Sequence, residues 1–220
     1  MKRFYGIGVL LFFSVFFLSD CAAFDDGDFQ YWNNESISWK VNENWKVTLE
    51  EELRFGDDGG NIYYQHSDLG VVYSGIASWL DVGVNYRYVR EERNSRWKDD
   101  SQPHLNATVK WSRFGFSLSD RSRFEYRERE DAEDYWRYRN NFTVKLPWKF
   151  TRFEIRPFVA DEIFYDFDAE TLNKNRFFSG ISFKITKQVS GDIFYLWETS
   201  EKNEKWNDLH VLGTKIKLNF

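Results

Sequence analysis

Residues Trp45–Phe55 read WKVTLEEELRF, and this stretch decides the fold class. Trp45, Val47, Leu49, Leu53 and Phe55 share one parity, while Lys46, Thr48, Glu50, Glu52 and Arg54 share the other. A strand turns successive side chains to opposite faces and so separates these two sets, whereas a helix would mix them. One face is apolar and the other charged, which predicts a strand lying between an apolar and an aqueous environment.

Working outward, similar alternation covers Phe29–Val41, Asn61–Ser74, Ser78–Glu91, Gln102–Trp111, Phe116–Arg129, Tyr135–Pro147, Glu154–Asp166, Lys174–Ile185, Val189–Glu198 and Asn207–Phe220. These make about eleven strands, each near the ~9–11 residues that a tilted membrane strand requires. No apolar stretch after the first residues approaches the length of a membrane helix, so membrane residence would have to use strands. The connections read as short at Asn42–Asn44, Gly75–Ala77, Ser112–Gly115, Trp148–Phe153 and Thr186–Gln188. They read as longer and charged at Gly56–Gly60, Glu92–Ser101, Glu130–Asp134, Phe167–Asn173 and Thr199–Trp206. Such a rhythm is what an outer-membrane barrel shows, with turns at one rim and loops at the other. Trp39, Trp45, Trp79, Trp111 and Trp148 sort beside the short turns; Tyr63, Tyr86, Tyr88, Tyr126, Tyr138, Tyr165 and Trp197 sort toward the long ones. Two aromatic belts at two interfaces follow.

A single-chain barrel with both ends on one side of the membrane needs an even strand number. Phe29–Val41 either divides near Asn33-Asn34, giving twelve strands, or does not span, giving ten; twelve is favoured. The predicted fold is therefore all-β, a closed antiparallel transmembrane β-barrel of about 10–12 strands with a polar lumen.

The chain has 220 residues, with 44 Phe, Tyr and Trp, 30% charged residues and 3 prolines, too aromatic for disorder and too polar for membrane helices. Met1–Ala23 reads as a cleavable signal peptide: Lys2 and Arg3, an apolar run from Phe4 to Leu18, then Cys21-Ala22-Ala23. Acylation at Cys21 is the rival, opposed by Asp20 where such sites carry a small residue. Cleavage leaves one domain, 24–220, without cysteine, so its stability must come from packing or from closing the sheet. It also leaves 28 basic and 34 acidic residues, a net charge of −6, and no basic excess that would point to nucleic acid. Gly213, Ile216, Leu218 and the terminal Phe220 resemble the C-terminal assembly signal of outer-membrane barrels. The implied setting is the bacterial outer membrane, with its lipid and the barrel-assembly machinery as partners.

The charged parity carries the candidate chemistry. Arg121, Arg123, Glu125, Arg127 and Arg129 oppose Phe116, Leu118, Phe124 and Tyr126; on the next strand Arg137, Arg139, Asn141 and Lys145 oppose Trp136, Tyr138, Phe142 and Val144. A cation facing lipid at the midplane would cost about 2–4 kcal/mol, so these rows face the lumen. If paired residue numbers in this hairpin sum to 262 or 264, Glu125 meets Arg137 or Arg139, and Glu162 meets one of the same arginines. Such a network is either a plug that satisfies its own charges or a path or pocket for a small anionic solute.

His66 and Asp68 share a strand face with Glu50 or Glu52 beside them, the parts of a general base at a barrel rim, as in a lipid or peptide hydrolase. No nucleophile motif accompanies them, and a structural histidine is the plainer reading. His104 and His210 stand apart, so no metal and no cofactor is expected. Asp57–Asn61 reads as a polar hairpin turn rather than a calcium loop. A periplasmic soluble barrel holding an apolar ligand is a further alternative, requiring apolar residues inside and charges outside.

The strings LEEELRFGDDGGNIYYQHSDLG at Leu49–Gly70, RSRFEYRERED at Arg121–Asp131, WRYRN at Trp136–Asn140, PFVADEIFYDF at Pro157–Phe167 and NKNRFFSGISF at Asn173–Phe183 resemble the bacterial family known as domain of unknown function 2490. The resemblance runs from about Asp28 to Phe220. It implies an outer-membrane β-barrel, no established activity, and no catalytic residues to transfer.

Overall fold

The computed structural model describes residues 27–202 and 205–220; the expected signal peptide lies outside the described residues. Eleven strands follow one another: β1 (Asp28–Lys40), β2 (Trp45–Gly56), β3 (Asn61–Ala77), β4 (Leu80–Arg93), β5 (Arg96–Arg113), β6 (Phe116–Arg129), β7 (Tyr135–Lys145), β8 (Arg156–Asp166), β9 (Thr171–Lys184), β10 (Val189–Lys202) and β11 (Lys205–Asn219). Each pairs antiparallel with its sequence neighbour, and β1 closes the barrel against β11.

That closure is parallel, with Trp32 opposite Gly213 and Ile37 opposite Leu218. Successive hairpins reverse direction each time, so an odd number of strands leaves the first and last running the same way. The favoured count of twelve is thereby corrected to eleven. β1 runs unbroken through Asn33 and Asn34 because both edges of this segment find partners, Leu53 and Glu52 on β2, Thr214 and Lys215 on β11. The chain consequently enters at one rim and ends at the other. The rim holding Asp28 is termed the N-terminal rim, and the rim holding Phe220 the C-terminal rim.

Strand parity places the side chains as the alternation requires. On β2, Trp45, Val47, Leu49 and Leu53 are exposed on the barrel wall, while Lys46, Thr48, Glu50, Glu52 and Arg54 turn inward. Away from strand ends, no Arg or Lys among the described strand residues points outward. Three of the outward carboxylates near strand centres are partnered: Glu51 accepts from Ser67 at 2.7 Å, Asp120 from Asn140 at 2.5 Å and Asp161 from Asn175 at 3.0 Å; Glu35, opposite Glu51 on β1, is exposed and makes no such bond among the described residues. Apolar outside and charged inside is the inverse of what the soluble ligand-binding barrel requires.

Trp39, Trp45, Trp79, Trp111 and Trp148 are all exposed at the C-terminal rim, as expected. Tyr63 departs from its expected belt. The register between β2 and β3 slips beside Arg54 and Phe55, so Tyr63 turns inward and donates its hydroxyl to Gln30 Oε1 at 2.7 Å. The expected contrast in loop length also fails. Glu92–Ser101 is a continuation of the β4–β5 ladder, Arg90 opposite Asp99 and Glu91 opposite Lys98, closed by Asn94 and Ser95 at φ 54° and 59°. Two residues in the left-handed region form the mirror-image turn that matches strand twist, and charged residues tolerate the solvated ladder beside it. The longest connection, 146–155, lies at the C-terminal rim instead.

Candidate functional site

The lumen is the site, and its residues are delivered by the pairing of β1 through β11. On β6 and β7 the paired residues sum to 262, placing Glu125 opposite Arg137 and Arg123 opposite Arg139. Glu125 has no exposed surface. Its carboxylate accepts from Arg137 Nε at 2.5 Å and Arg139 Nη1 at 3.4 Å, with Arg123 Nη1 at 4.0 Å. Glu162 on β8, 2% exposed, accepts from Arg121 and Arg139 at 2.9 Å each, with Arg176 at 3.7 Å. Arg176 on β9 then donates to Glu198 on β10 at 2.6 Å, and Lys174 donates to the same carboxylate at 2.6 Å. One chain of alternating charge therefore crosses β6 to β10.

Arg127 belongs to a neighbouring group. It turns from Glu125 to Asp100 at 2.8 Å and to the Tyr135 hydroxyl at 2.7 Å, while Arg93 binds the other oxygen of Asp100. The sequence reading named seven members of the network and missed Arg87, Asp100, Arg176 and Glu198. The same parity rule, applied to β4, β9 and β10, would have found Arg87, Arg176 and Glu198, whereas Asp100 falls in Glu92–Ser101, which reads from the sequence as a loop.

Aromatic rings fill the space between these charges. The Arg54 guanidinium lies 3.7 Å from the Trp32 ring centroid and 4.1 Å from that of Tyr64; Arg139 and Arg176 lie 4.6 Å and 4.9 Å from that of Phe164. Trp32, Leu196 and Val211 form a small apolar cluster in the wall, and Tyr63, Tyr64 and Val89 another. A guanidinium stacks on a ring with its planar face and still donates at its edge, which lets one arginine serve both environments.

The His66 cluster forms in part. His66, 3% exposed, lies 3.1 Å from the Tyr64 hydroxyl and 3.3 Å from Glu50, with Glu52 at 3.8 Å. Asp68 does not join it. Its carboxylate accepts from Arg87 at 2.9 Å and Asn85 at 2.7 Å and faces His104 at 3.5 Å. Among the described residues no serine, threonine or cysteine hydrogen-bonds His66, and no group of His, Cys, Asp and Glu is arranged to hold a metal ion.

At the C-terminal end, Ile216 and Leu218 face outward, and the backbone of Phe220 bonds to Ser38 and Lys40 of β1 at 2.9 Å and 2.8 Å. Gly213 faces inward. In the long connection at this rim, Lys149 donates to Glu154 at 2.5 Å and Lys184 lies 3.6 Å away; the Lys149 hydrogen bond, with both ammonium charges, holds the Glu154 carboxyl below its ordinary range.

None of the curated proteins matches the chain. Residues 29–209, from β1 into β11, match the family described as "Protein of unknown function (DUF2490)", and the chain belongs to that family.

Proposed function

We propose that this protein is a bacterial outer-membrane β-barrel of structural or transport type, whose own arginines, glutamates and aromatic rings close the lumen toward the N-terminal rim. The observation that carries the reading is the inversion of polarity: an apolar outer wall without mid-strand cations, around an interior of buried ion pairs. In water such a wall would leave many large apolar side chains solvated, whereas hydrocarbon accommodates them, and a closed sheet leaves no unpaired edge in lipid. Among the described residues no helix is long and apolar enough to cross a membrane, so strands would do the spanning. Closure of the lumen is supported by Glu125, Glu162, Phe164, Leu196 and Val211, which are almost wholly buried inside the barrel.

The test is purification in detergent followed by planar-bilayer recording. The folded protein should migrate differently on a denaturing gel before and after heating, and should show no steady conductance. Recovery of unheated native protein in the soluble periplasmic fraction overturns membrane residence. A stable open pore overturns the closed lumen and leaves membrane residence standing.

A further inference from the structure

The lumen is not filled throughout. Toward the C-terminal rim small inward residues such as Ser119, Thr143 and Ala160 leave a cavity of about 380 Å³. It has the size of a small-molecule pocket. Its wall is divided by chemistry. β8, β9 and β10 contribute the rings of Phe158, Phe178 and Phe194, the last two packed at 5.6 Å. β6, β7 and β11 contribute Arg121, Lys145, Lys215 and Lys217.

Nine Arg and Lys but only four Asp and Glu line this cavity, in a chain whose net charge is −5. Seven of these cations have carboxylate partners: Lys215 donates to Glu50 at 2.7 Å, Lys217 pairs with Asp192, Arg121 and Arg139 share Glu162, and Arg54, Arg87 and Arg176 bind Glu52, Asp68 and Glu198. Others do not. Lys145 has no carboxylate partner among the described residues, and its ammonium lies 5.9 Å from the Phe158 ring centroid. Arg123 is 6% exposed and donates Nε to Asn106 at 2.8 Å, but it approaches Glu125 no closer than 4.0 Å and leaves Nη1 without a hydrogen-bond partner. Unmatched positive charge in a confined space is unfavourable and is relieved by a bound anion. Cations arriving from three strands suit a group with three strong acceptor oxygens better than a carboxylate, and the opposing rings suit an organic substituent.

We propose that the cavity binds an organic phosphate, its phosphate among Arg121, Lys145, Lys215 and Lys217 and its apolar part against Phe158, Phe178 and Phe194. The site rests on the lumen geometry alone and does not depend on the outer-membrane reading.

The full barrel in detergent is titrated calorimetrically with phenyl phosphate, with inorganic phosphate, and with mixed micelles containing phosphatidic acid, whose headgroup is also a phosphomonoester. Phenyl phosphate should bind at one saturable site, about tenfold more tightly than inorganic phosphate, and more weakly as salt is raised. Stronger binding of the micelles than of phenyl phosphate would identify a lipid headgroup as the source of the phosphate, and the reverse a free solute. Lys145→Gln removes a cation that no carboxylate needs, so the barrel should fold, with affinity reduced about tenfold. Lys187→Gln makes the same charge change outside the cavity and should leave affinity unaltered. Absence of saturable binding to every probe, or undiminished binding by Lys145→Gln, overturns the site. Equal affinity for phenyl and inorganic phosphate overturns the organic part. A heat-modifiable barrel that fails to bind sinks this site and spares the membrane reading.

Discussion

Gly213 lies beneath the ring of Phe194 in the lumen wall, where a side chain would fall within the ring itself. The two are register partners on β11 and β10, and the other partner of Phe194, on β9, is Gly180, also without room for a Cβ. The ring thus occupies space that Gly213 vacates, against the cluster of Trp32, Leu196 and Val211, while at Gly180 it is the Ile193 carbonyl and the Phe194 Cα and Cβ that leave no room. Gly213, read from the sequence as part of an assembly signal, has a packing role as well. Gly213→Ala should destabilise the finished barrel by about 1–3 kcal/mol, seen as a lower denaturant midpoint. Phe194→Leu in the same chain should recover part of that loss. Strictly additive effects would show that ring and glycine do not compete.

The alternation that identified the strands also fixed which residues share the lumen, because both depend only on parity. Glu125 opposite Arg137 followed from parity plus one hairpin register. What lay beyond parity was the closure. Nothing in Phe29–Val41 distinguishes one long strand from two short ones until β11 supplies a parallel partner for its second edge. The turn at Asn94-Ser95 was hidden for a related reason, since charged residues mark solvent exposure and not the end of a ladder. Tyr63 was misplaced by the register slip beside Arg54, a local irregularity that shifts one side chain across the sheet without altering the composition around it.

His66 is the residue whose replacement separates scaffold from chemistry. Glu50 keeps Lys215 at 2.7 Å and Arg87 at 3.5 Å when the imidazole is removed, so no carboxylate is stranded. His66→Ala should therefore cost about 1–3 kcal/mol of stability through a lost hydrogen bond and a small void, with barrel abundance maintained. Any phenotype of the gene should persist. Its loss at normal abundance would instead support a hydrolase.

The parallel closure has a consequence for topology. Gly27 and the Asn94-Ser95 turn lie at the N-terminal rim, and the Phe114-Gly115 turn lies with Phe220 at the other. With the C-terminal rim in the periplasm, an epitope placed at Gly27 or at 94–95 should be labelled by antibody on intact cells, and one at 114–115 only after the outer membrane is opened. The reversed pattern would place the mouth of the phosphate cavity at the cell surface.

Glu125 offers the sharpest test of the closed lumen. It is wholly buried and faces Arg137, Arg139 and Arg123, each from an inward position on β6 or β7. Of these, Arg139 retains Glu162 at 2.9 Å when Glu125 is neutralised, whereas Arg137 and Arg123 have no other carboxylate within ion-pair distance among the described residues. Glu125→Gln keeps the side-chain shape and a carbonyl acceptor but removes the charge that offsets two guanidiniums. The expected loss is about 1–3 kcal/mol, since a buried charge deprived of its counter-charge is more costly than a neutral pair. The rings around the network stay in place, Phe164 above all, so conductance should remain negligible in the variant. Denaturant midpoints and bilayer currents of wild type and variant, measured side by side, decide the matter. A variant that opens an anion-selective pore at nearly unchanged stability would show that these side chains line a path, and that the carboxylate had been its gate.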